Sequence, residues 1–203
     1  MDTFNPIQLP ISFDPSALKA DLAKIRAEEW INHYSTSHHQ GRWGVVPLRS
    51  VGGHPQIIYA SPSGIQADFY KDTPILERCT YFQEVIGWFQ CQVNAARLML
   101  LAAGARILEH TDEMQMGELV EWRIHVPVLT HPTVRFVVNQ ILIPMREGEV
   151  WLADFNLPHS VDNDSPVDRV HLVLDCLPND WLREQLEKGH PMLYDQKTGA
   201  ISG

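Results

Sequence analysis

The chain is short of cysteine, of basic residues and of long apolar runs, and each shortage narrows what it can be. Its three cysteines, Cys79, Cys91 and Cys176, are odd in number and widely spaced, so no disulfide framework is expected and a reducing compartment is favoured. Against 25 Asp+Glu stand only 16 Lys+Arg, a formal net charge of −9. That charge argues against nucleic acid or an anionic membrane as partner, because phosphate repels an acidic surface. No stretch approaches the roughly 20 continuous apolar residues of a membrane span. Met1–Pro10 also lacks the basic-then-apolar order of a secretory signal. No internal repeat or low-complexity segment interrupts the 203 residues. The expectation is a cytoplasmic protein built as one domain over 1–203, and an apolar share of 44% is enough for a sizeable core.

Helices come first in this reading. Asp14-Pro15-Ser16 is a helix start with Asp14 as cap, and Leu18, Leu22 and Ile25 continue at helical spacing to about Asn32. Ser35–Gly64, rich in Gly, Pro, Ser and His, suggests long loops around a short apolar piece near Val45–Leu48. A second helix is expected from Pro74 to about Phe89. From Cys91 the character changes to extended segments: Gln92–Leu101, Arg106–Thr111, Leu119–Val128, Val134–Ile143, Glu149–Phe155, Pro158–Asp162 and Arg169–Cys176. Several are β-branched and separated by turns such as Arg146-Glu147-Gly148 and Asn163-Asp164-Ser165-Pro166, as in a barrel or jelly roll. A last amphipathic helix is expected near Asn179–Lys188. The fold class is therefore mainly β with flanking helices. About 1–90 would hold N-terminal helices and loops, about 91–177 the barrel core, and about 178–203 a closing helix and tail.

The chemistry concentrates in His110-Thr111-Asp112, His159 and Arg169. Two imidazoles and a carboxylate are the ligand set of a non-haem iron(II) site, and three ligands on one face leave three metal positions free. A single His-x-acid motif is weak, since composition alone predicts roughly one and one is found. Its setting is stronger. His110 and Asp112 close a short apolar strand, so alternation points both to one face and Thr111 to the other. His159 lies on a later candidate strand, after an interval long enough to return across a barrel. A structural zinc site would favour cysteine, and none lies near these residues. Arg169, ten residues after His159, is either a surface arginine paired with Asp164 or Asp168, or a clamp on a carboxylate inside the barrel. His171 shares its face. Arg123 and His125 likewise share one face of a strand, solvated by default, or turned inward as a second carboxylate-binding point. Arg97, in an apolar strand, lies on an exposed face or beside an anionic ligand, because an unpaired buried arginine is costly. His38-His39 suits a solvated loop better than a lid.

In order and spacing these pieces resemble the aspartyl/asparaginyl β-hydroxylase family of 2-oxoglutarate oxygenases, which includes bacterial proline hydroxylases. The likeness runs from about Arg97 to Asp175. It rests on Arg97-Leu98-Met99, Ile107-Leu108-Glu109-His110-Thr111-Asp112, Trp122-Arg123-Ile124-His125 and Gly148-Glu149-Val150-Trp151. It continues through Asp154-Phe155, His159-Ser160-Val161, Asn163-Asp164, Arg169-Val170 and Asp175. Upstream, Trp43-Gly44-Val45-Val46-Pro47-Leu48 is similar to a segment lining the site in the proline hydroxylases. The resemblance implies a double-stranded β-helix, a jelly roll of cupin-like shape, with Fe(II) at His110, Asp112 and His159. It puts Arg169 on the C5 carboxylate of 2-oxoglutarate, and Arg123, with His125, on a carboxylate of cosubstrate or substrate. The implied activity uses O2 to hydroxylate an unactivated C–H of an amino acid, free, peptidyl or carrier-bound, with succinate and CO2 as co-products. Asp112 favours hydroxylation over halogenation and separates the chain from the mammalian-type peptidyl hydroxylases, which lack the acidic ligand. The proline hydroxylases carry a further C-terminal helical region for which 203 residues leave no room, so proline is not carried over as substrate. Two other readings stay open: a cupin-type metal barrel working as an isomerase or a dioxygenase without 2-oxoglutarate, and a non-catalytic small-ligand sensor.

Overall fold

The computed structural model describes residues 4–33, 35, 37–56, 69–112, 115–116, 119–194 and 201–202, with backbone alone at 115–116, 119–120, 193–194 and 201–202. Its principal strands are β1 (Ile7–Ser12), β2 (Trp43–Val51), β3 (Tyr70–Asp72), β4 (Gln92–Leu101), β5 (Arg106–His110) and β6 (Trp122–Leu129). They continue with β7 (Val134–Val138), β8 (Ile141–Ile143), β9 (Glu149–Ala153), β10 (His159–Asn163) and β11 (Arg169–Leu177). The helices are α1 (Pro15–Leu22), α2 (Thr80–Trp88) and α3 (Asp180–Lys188). A nine-stranded antiparallel sheet runs in the order His190–Pro191, β1, β9, β6, β11, β4, β2, Ile31–Asn32, with β3 also on β2. A five-stranded sheet, β8-β7-β10-β5-His39–Gln40, faces it. Two sheets wound this way form a double-stranded β-helix. Among the described residues no helix is long and apolar enough to cross a membrane.

The central strands of the larger sheet are buried on both faces, and alternation divides their side chains between two cores. Even-numbered residues such as Leu98, Leu100, Ile124, Val126, Leu152, Leu172 and Leu174 pack against the helices, where they meet Leu18, Phe82, Val85, Ile86 and Leu182. Odd-numbered residues turn into the barrel, where Trp43, Met99, Leu101, Trp151 and Val173 meet Ile107, Phe136, Phe155 and Val161 around the smaller sheet. Register holds this division. Arg123 pairs with Asp175 and His125 with Val173 across β6–β11, and Arg97 pairs with Val173 across β4–β11.

The helical layer is tied to itself by one buried carboxylate. Asp21 of α1 accepts from Phe82 N at 2.8 Å, filling an orphan N–H in the first turn of α2, whose own N-cap position, Cys79, makes no side-chain capping bond.

The expected mainly-β fold with flanking helices is present, and the sequence-based reading departs from the structure at several elements. α1 stops at Leu22 instead of running to Asn32. Beyond it Glu29 accepts from Arg26 N at 2.8 Å and is gripped by Arg78 at 2.6 and 2.7 Å, a tertiary clasp that outweighs helical spacing. Three principal strands, β1, β2 and β3, and the short strands Ile31–Asn32 and His39–Gln40 lie ahead of Cys91, where helices and loops were the expectation. In β2 the pairing with β4 shifts between Pro47 and Arg49, the kind of irregularity that admits a proline into a sheet. Of the expected loop Ser35–Gly64, residues 36 and 57–64 lie outside the described residues. The single strand anticipated over Val134–Ile143 is a hairpin, because Asn139 and Gln140 both take positive φ (48° and 66°), as a two-residue mirror-image turn requires. α3 forms where expected, capped by the Asn179 side chain on Leu182 N at 3.0 Å.

Leu172 sits at the centre of the helix-facing core with no exposure. Leu172→Ala is expected to lower unfolding free energy by about 2–5 kcal/mol, measured by urea denaturation. A loss below about 1 kcal/mol would show that the helical layer is not packed as described.

Candidate functional site

His110 ends β5 and His159 begins β10, and the two are directly paired across the smaller sheet. Asp112 follows two residues after His110, its backbone N–H donating to Phe155 O at 2.9 Å, which turns the chain inward after the strand ends. That turn brings Thr111 to the cavity as well, where simple strand alternation sends it to the opposite face. His110 Nε2 lies 3.5 Å and His159 Nε2 3.9 Å from Asp112 Oδ1, and the three donor atoms lie within 4.8 Å of one another. Such spacing suits three donors each at roughly 2.1 Å from one first-row metal ion. Each imidazole is oriented for that task. His110 Nδ1 donates to Leu108 O at 2.7 Å and His159 Nδ1 to Leu157 O at 3.0 Å, which leaves both Nε2 lone pairs free.

The charge states fit a metal site. Burial alone would raise the Asp112 carboxyl, but the Arg123 guanidinium and the two imidazoles outweigh it and hold Asp112 ionised far below the usual carboxylate range. Burial pushes His159 down to about 4, so it is neutral at physiological pH. The hydrogen bond to Asp112 raises His110.

Behind Asp112 runs a row of alternating charge. Arg123 Nη1 donates to Asp112 Oδ2, while Arg123 Nε and Nη2 donate to Asp175 at 2.7 and 3.3 Å. Arg97 Nη1 donates to the same Asp175 at 2.6 Å. Asp175 has no solvent exposure and Arg97 only 4%. Beside this row Glu121 is buried. Its Oε1 accepts from Asn94 Nδ2 at 2.5 Å, while Oε2 finds no partner among the described residues. Burial, reinforced by the nearby Asp175 carboxylate, pushes the Glu121 carboxyl up to about 7.

Arg169 is the largest side chain that the fold buries completely. It opens β11 facing the barrel, its guanidinium over the Phe136 ring at 5.2 Å and its Nη2 2.8 Å from His171 Nδ1. No carboxylate is within ion-pair distance of it among the described residues. Desolvation pulls its pKa down to about 9, which leaves it a cation at neutral pH. Arg169 lines a cavity of about 500 Å³ together with Arg97, His110, Asp112, Arg123, His125 and His159.

All seven residues singled out for chemistry therefore surround one space. The surface alternatives for Arg97, Arg123 and Arg169 do not hold, since Arg97 and Arg169 are buried and the Arg123 side chain is only 11% exposed. Asp164 pairs with Arg106 instead, and Asp168 accepts from Ala103 N. His38, expected in a solvated loop, stacks on His110 with ring centroids 5.2 Å apart, and the short strand His39–Gln40 joins β5. His33 carried no sequence signal; it stacks on Trp43 at 3.5 Å and 10°, and burial, helped by Arg97, pushes it down to about 3. Phe136 and Phe155 form further walls, and only their spacing in apolar strands hinted at an inward position.

Fold and site together define a double-stranded β-helix with three donors, His110, Asp112 and His159, grouped closely enough to hold a metal ion. The aspartyl/asparaginyl beta-hydroxylase family model matches residues 14–178, and the chain belongs to that family. It is 26% identical over 181 residues to the L-proline cis-4-hydroxylase of Rhizobium meliloti (strain 1021), covering 85% of this chain and 62% of that protein. It is 24% identical over 172 residues to L-proline cis-3-hydroxylase 1 of a Streptomyces species, covering 81% of this chain and 57% of the relative. The chain thus spans about three-fifths of the length of the curated relatives it matches. A Pseudomonas putida prolyl-4-hydroxylase structure superposes with a TM-score of 0.55 at 12% identity, covering 87% of this chain and 94% of that one, a likeness of fold.

Glu121 supplies a test of the buried charge row. A carboxyl raised from an unfolded value near 4.5 to about 7 holds its proton longer in the folded state. Its share of stability is therefore present below pH 4.5 and is lost as pH rises through 7, on the order of 3 kcal/mol in all. Glu121→Gln should abolish that share, so urea melts from pH 5 to 8 should fall less steeply than in the wild type. Parallel slopes would mean that Glu121 titrates normally.

Proposed function

We propose that the protein is an Fe(II)- and 2-oxoglutarate-dependent dioxygenase that hydroxylates an unactivated C–H bond of an amino acid. One observation carries this reading: Arg169, a buried arginine with no carboxylate partner among the described residues, shares a cavity with the His110–Asp112–His159 donor set. A buried cation of this kind is costly unless an anion joins it, and a dicarboxylate that chelates the metal at one end meets that need at the other. A metal barrel acting without such a cosubstrate has no use for Arg169. Iron(II) with bound 2-oxoglutarate supplies the oxidising power to insert one atom of O2 into a C–H bond, with succinate and CO2 as co-products.

The chain's own residues bind, orient and exclude water. His159 offers a neutral Nε2 donor, His110 turns its Nε2 toward the same point, and Asp112 offers Oδ1 while Arg123 occupies Oδ2, which favours one-oxygen ligation. Arg97 and Arg123 are oriented by Asp175 and line the cavity, where their positive charge favours a substrate carboxylate. His33, His38, Trp43 and Phe155 enclose the metal side with aromatic surface that limits water. The relatives named as L-proline hydroxylases make a small free amino acid the first substrate to try, ahead of peptidyl or carrier-bound forms.

Mixing the protein with Fe(II) and 2-oxoglutarate under nitrogen is expected to give a weak visible charge-transfer band, absent in His110→Ala. If the wild type gives no band, the reading fails. With air and a panel of amino acids including L-proline, succinate should appear in step with one hydroxylated product. Arg169→Leu should weaken 2-oxoglutarate binding by roughly 30-fold or more, the usual loss when one partner of a buried charge pair is removed.

A further inference from the structure

The protein holds its buried arginines in two chemically different ways. Arg97 and Arg123 are fixed by a carboxylate, which orients them and cancels much of their charge. Arg169 is fixed without one. Its Nη2 lies 2.8 Å from His171 Nδ1, and His171 Nδ1 in turn lies 3.2 Å from His125 Nδ1. The valences settle who donates. A guanidinium can only donate, so His171 Nδ1 is an acceptor, and His125 must then donate to it from Nδ1. His171 therefore carries its proton on Nε2, and His125 keeps a lone pair on its own Nε2.

Both rings are neutral in this arrangement. Burial pushes each well below the ordinary histidine value, and the Arg169 charge pushes the same way. The set is also incomplete. Arg169 Nε, His171 Nε2 and His125 Nε2 are all buried and find no hydrogen-bond partner among the described residues. Two N–H donors and one acceptor thus remain unsatisfied, two of them on residues that line the cavity. A structural ion pair would not leave them so, because each unmet buried polar group costs free energy.

We propose that His171 is a positioning residue that presents Arg169 to an anion: as a neutral acceptor it fixes the guanidinium while leaving its full charge for the ligand's carboxylate. Resting on the reading of Arg169 as the cosubstrate clamp, this makes His171, through Arg169, a determinant of selectivity for dicarboxylate over monocarboxylate 2-oxoacids. An aspartate at 171 would orient Arg169 equally well and neutralise it. An apolar residue would leave Arg169 charged but unaimed. An asparagine presents its amide oxygen where Nδ1 now stands, and so preserves both properties.

The test measures binding by calorimetry with Mn(II) in place of Fe(II), using 2-oxoglutarate and pyruvate as ligands. Wild type, His171→Asn, His171→Leu and His171→Asp are compared, with the Mn(II) affinity of each read by electron paramagnetic resonance. His171→Asn is expected to bind 2-oxoglutarate within about threefold of wild type, and His171→Leu and His171→Asp at least about tenfold more weakly. Mn(II) and pyruvate binding should stay within about twofold in all four, which a general loss of structure would not allow. His171→Leu, which introduces no buried charge, keeps the test informative if His171→Asp does not fold. The proposal is overturned if His171→Leu binds 2-oxoglutarate as tightly as wild type, or if Mn(II) and pyruvate binding fall in parallel with it. A different result, wild type preferring pyruvate to 2-oxoglutarate, would instead remove the clamp role of Arg169 and this proposal with it.

Discussion

The fully buried carboxylate of Asp175, held between Arg97 and Arg123, is the interaction on which the rest of the molecule depends. It lies on β11, and its partners come from the strands on either side, so one carboxylate fastens β4, β11 and β6 in a single register. Moving either neighbour by one residue would carry its arginine to the helical face and leave Asp175 uncompensated, at a cost of about 3–5 kcal/mol. The same register sends Arg123 on to Asp112. The orientation of a cavity-facing carboxylate on a loop is thus inherited from the centre of the larger sheet, through one side chain with acids on both sides.

The cavity is electrically graded as a result. Near the three-donor cluster, positive and negative groups alternate and largely cancel, as the lowered Asp112 and raised Arg123 pKa values reflect. At Arg169 the guanidinium meets the His171 imidazole and the Phe136 ring, no carboxylate among the described residues is within ion-pair distance, and positive charge stands uncancelled. A low-dielectric enclosure strengthens that gradient, since fewer water dipoles oppose it. A molecule with anionic character concentrated at one end enters such a space in one orientation.

Much of this was legible in the sequence, for reasons that are local. His110 could be read as closing a strand and His159 as lying on a later one, and Arg97, Arg123, His125 and Arg169 as polar residues of apolar strands, because side-chain alternation is a short-range property. Which face looked inward was not local. The strands are buried on both sides, so neither face reads as polar, and Arg123 in Trp122-Arg123-Ile124 suits solvent as well as a cavity. Contacts across long separations left no trace either. His33 reaches the site by stacking on Trp43, and α1 ends early because Glu29 meets Arg78, 49 residues away. The Asn139-Gln140 turn was missed because it lacks the glycine that usually announces positive φ.

The alternation of the central strands has a consequence for how such a protein can diversify. From Val93 to Cys176 the helix-facing and cavity-facing residues sit side by side on the same strands, yet touch different neighbours. Substitutions at positions such as Met99, Val161 or Val173 remodel the interior and leave the helical core intact, while those at Leu98 or Leu172 do the reverse. Distant contacts of this kind are close to additive in free energy. Ligand preference and thermal robustness can therefore drift separately under selection, and only an insertion or deletion within a strand would force both to change at once.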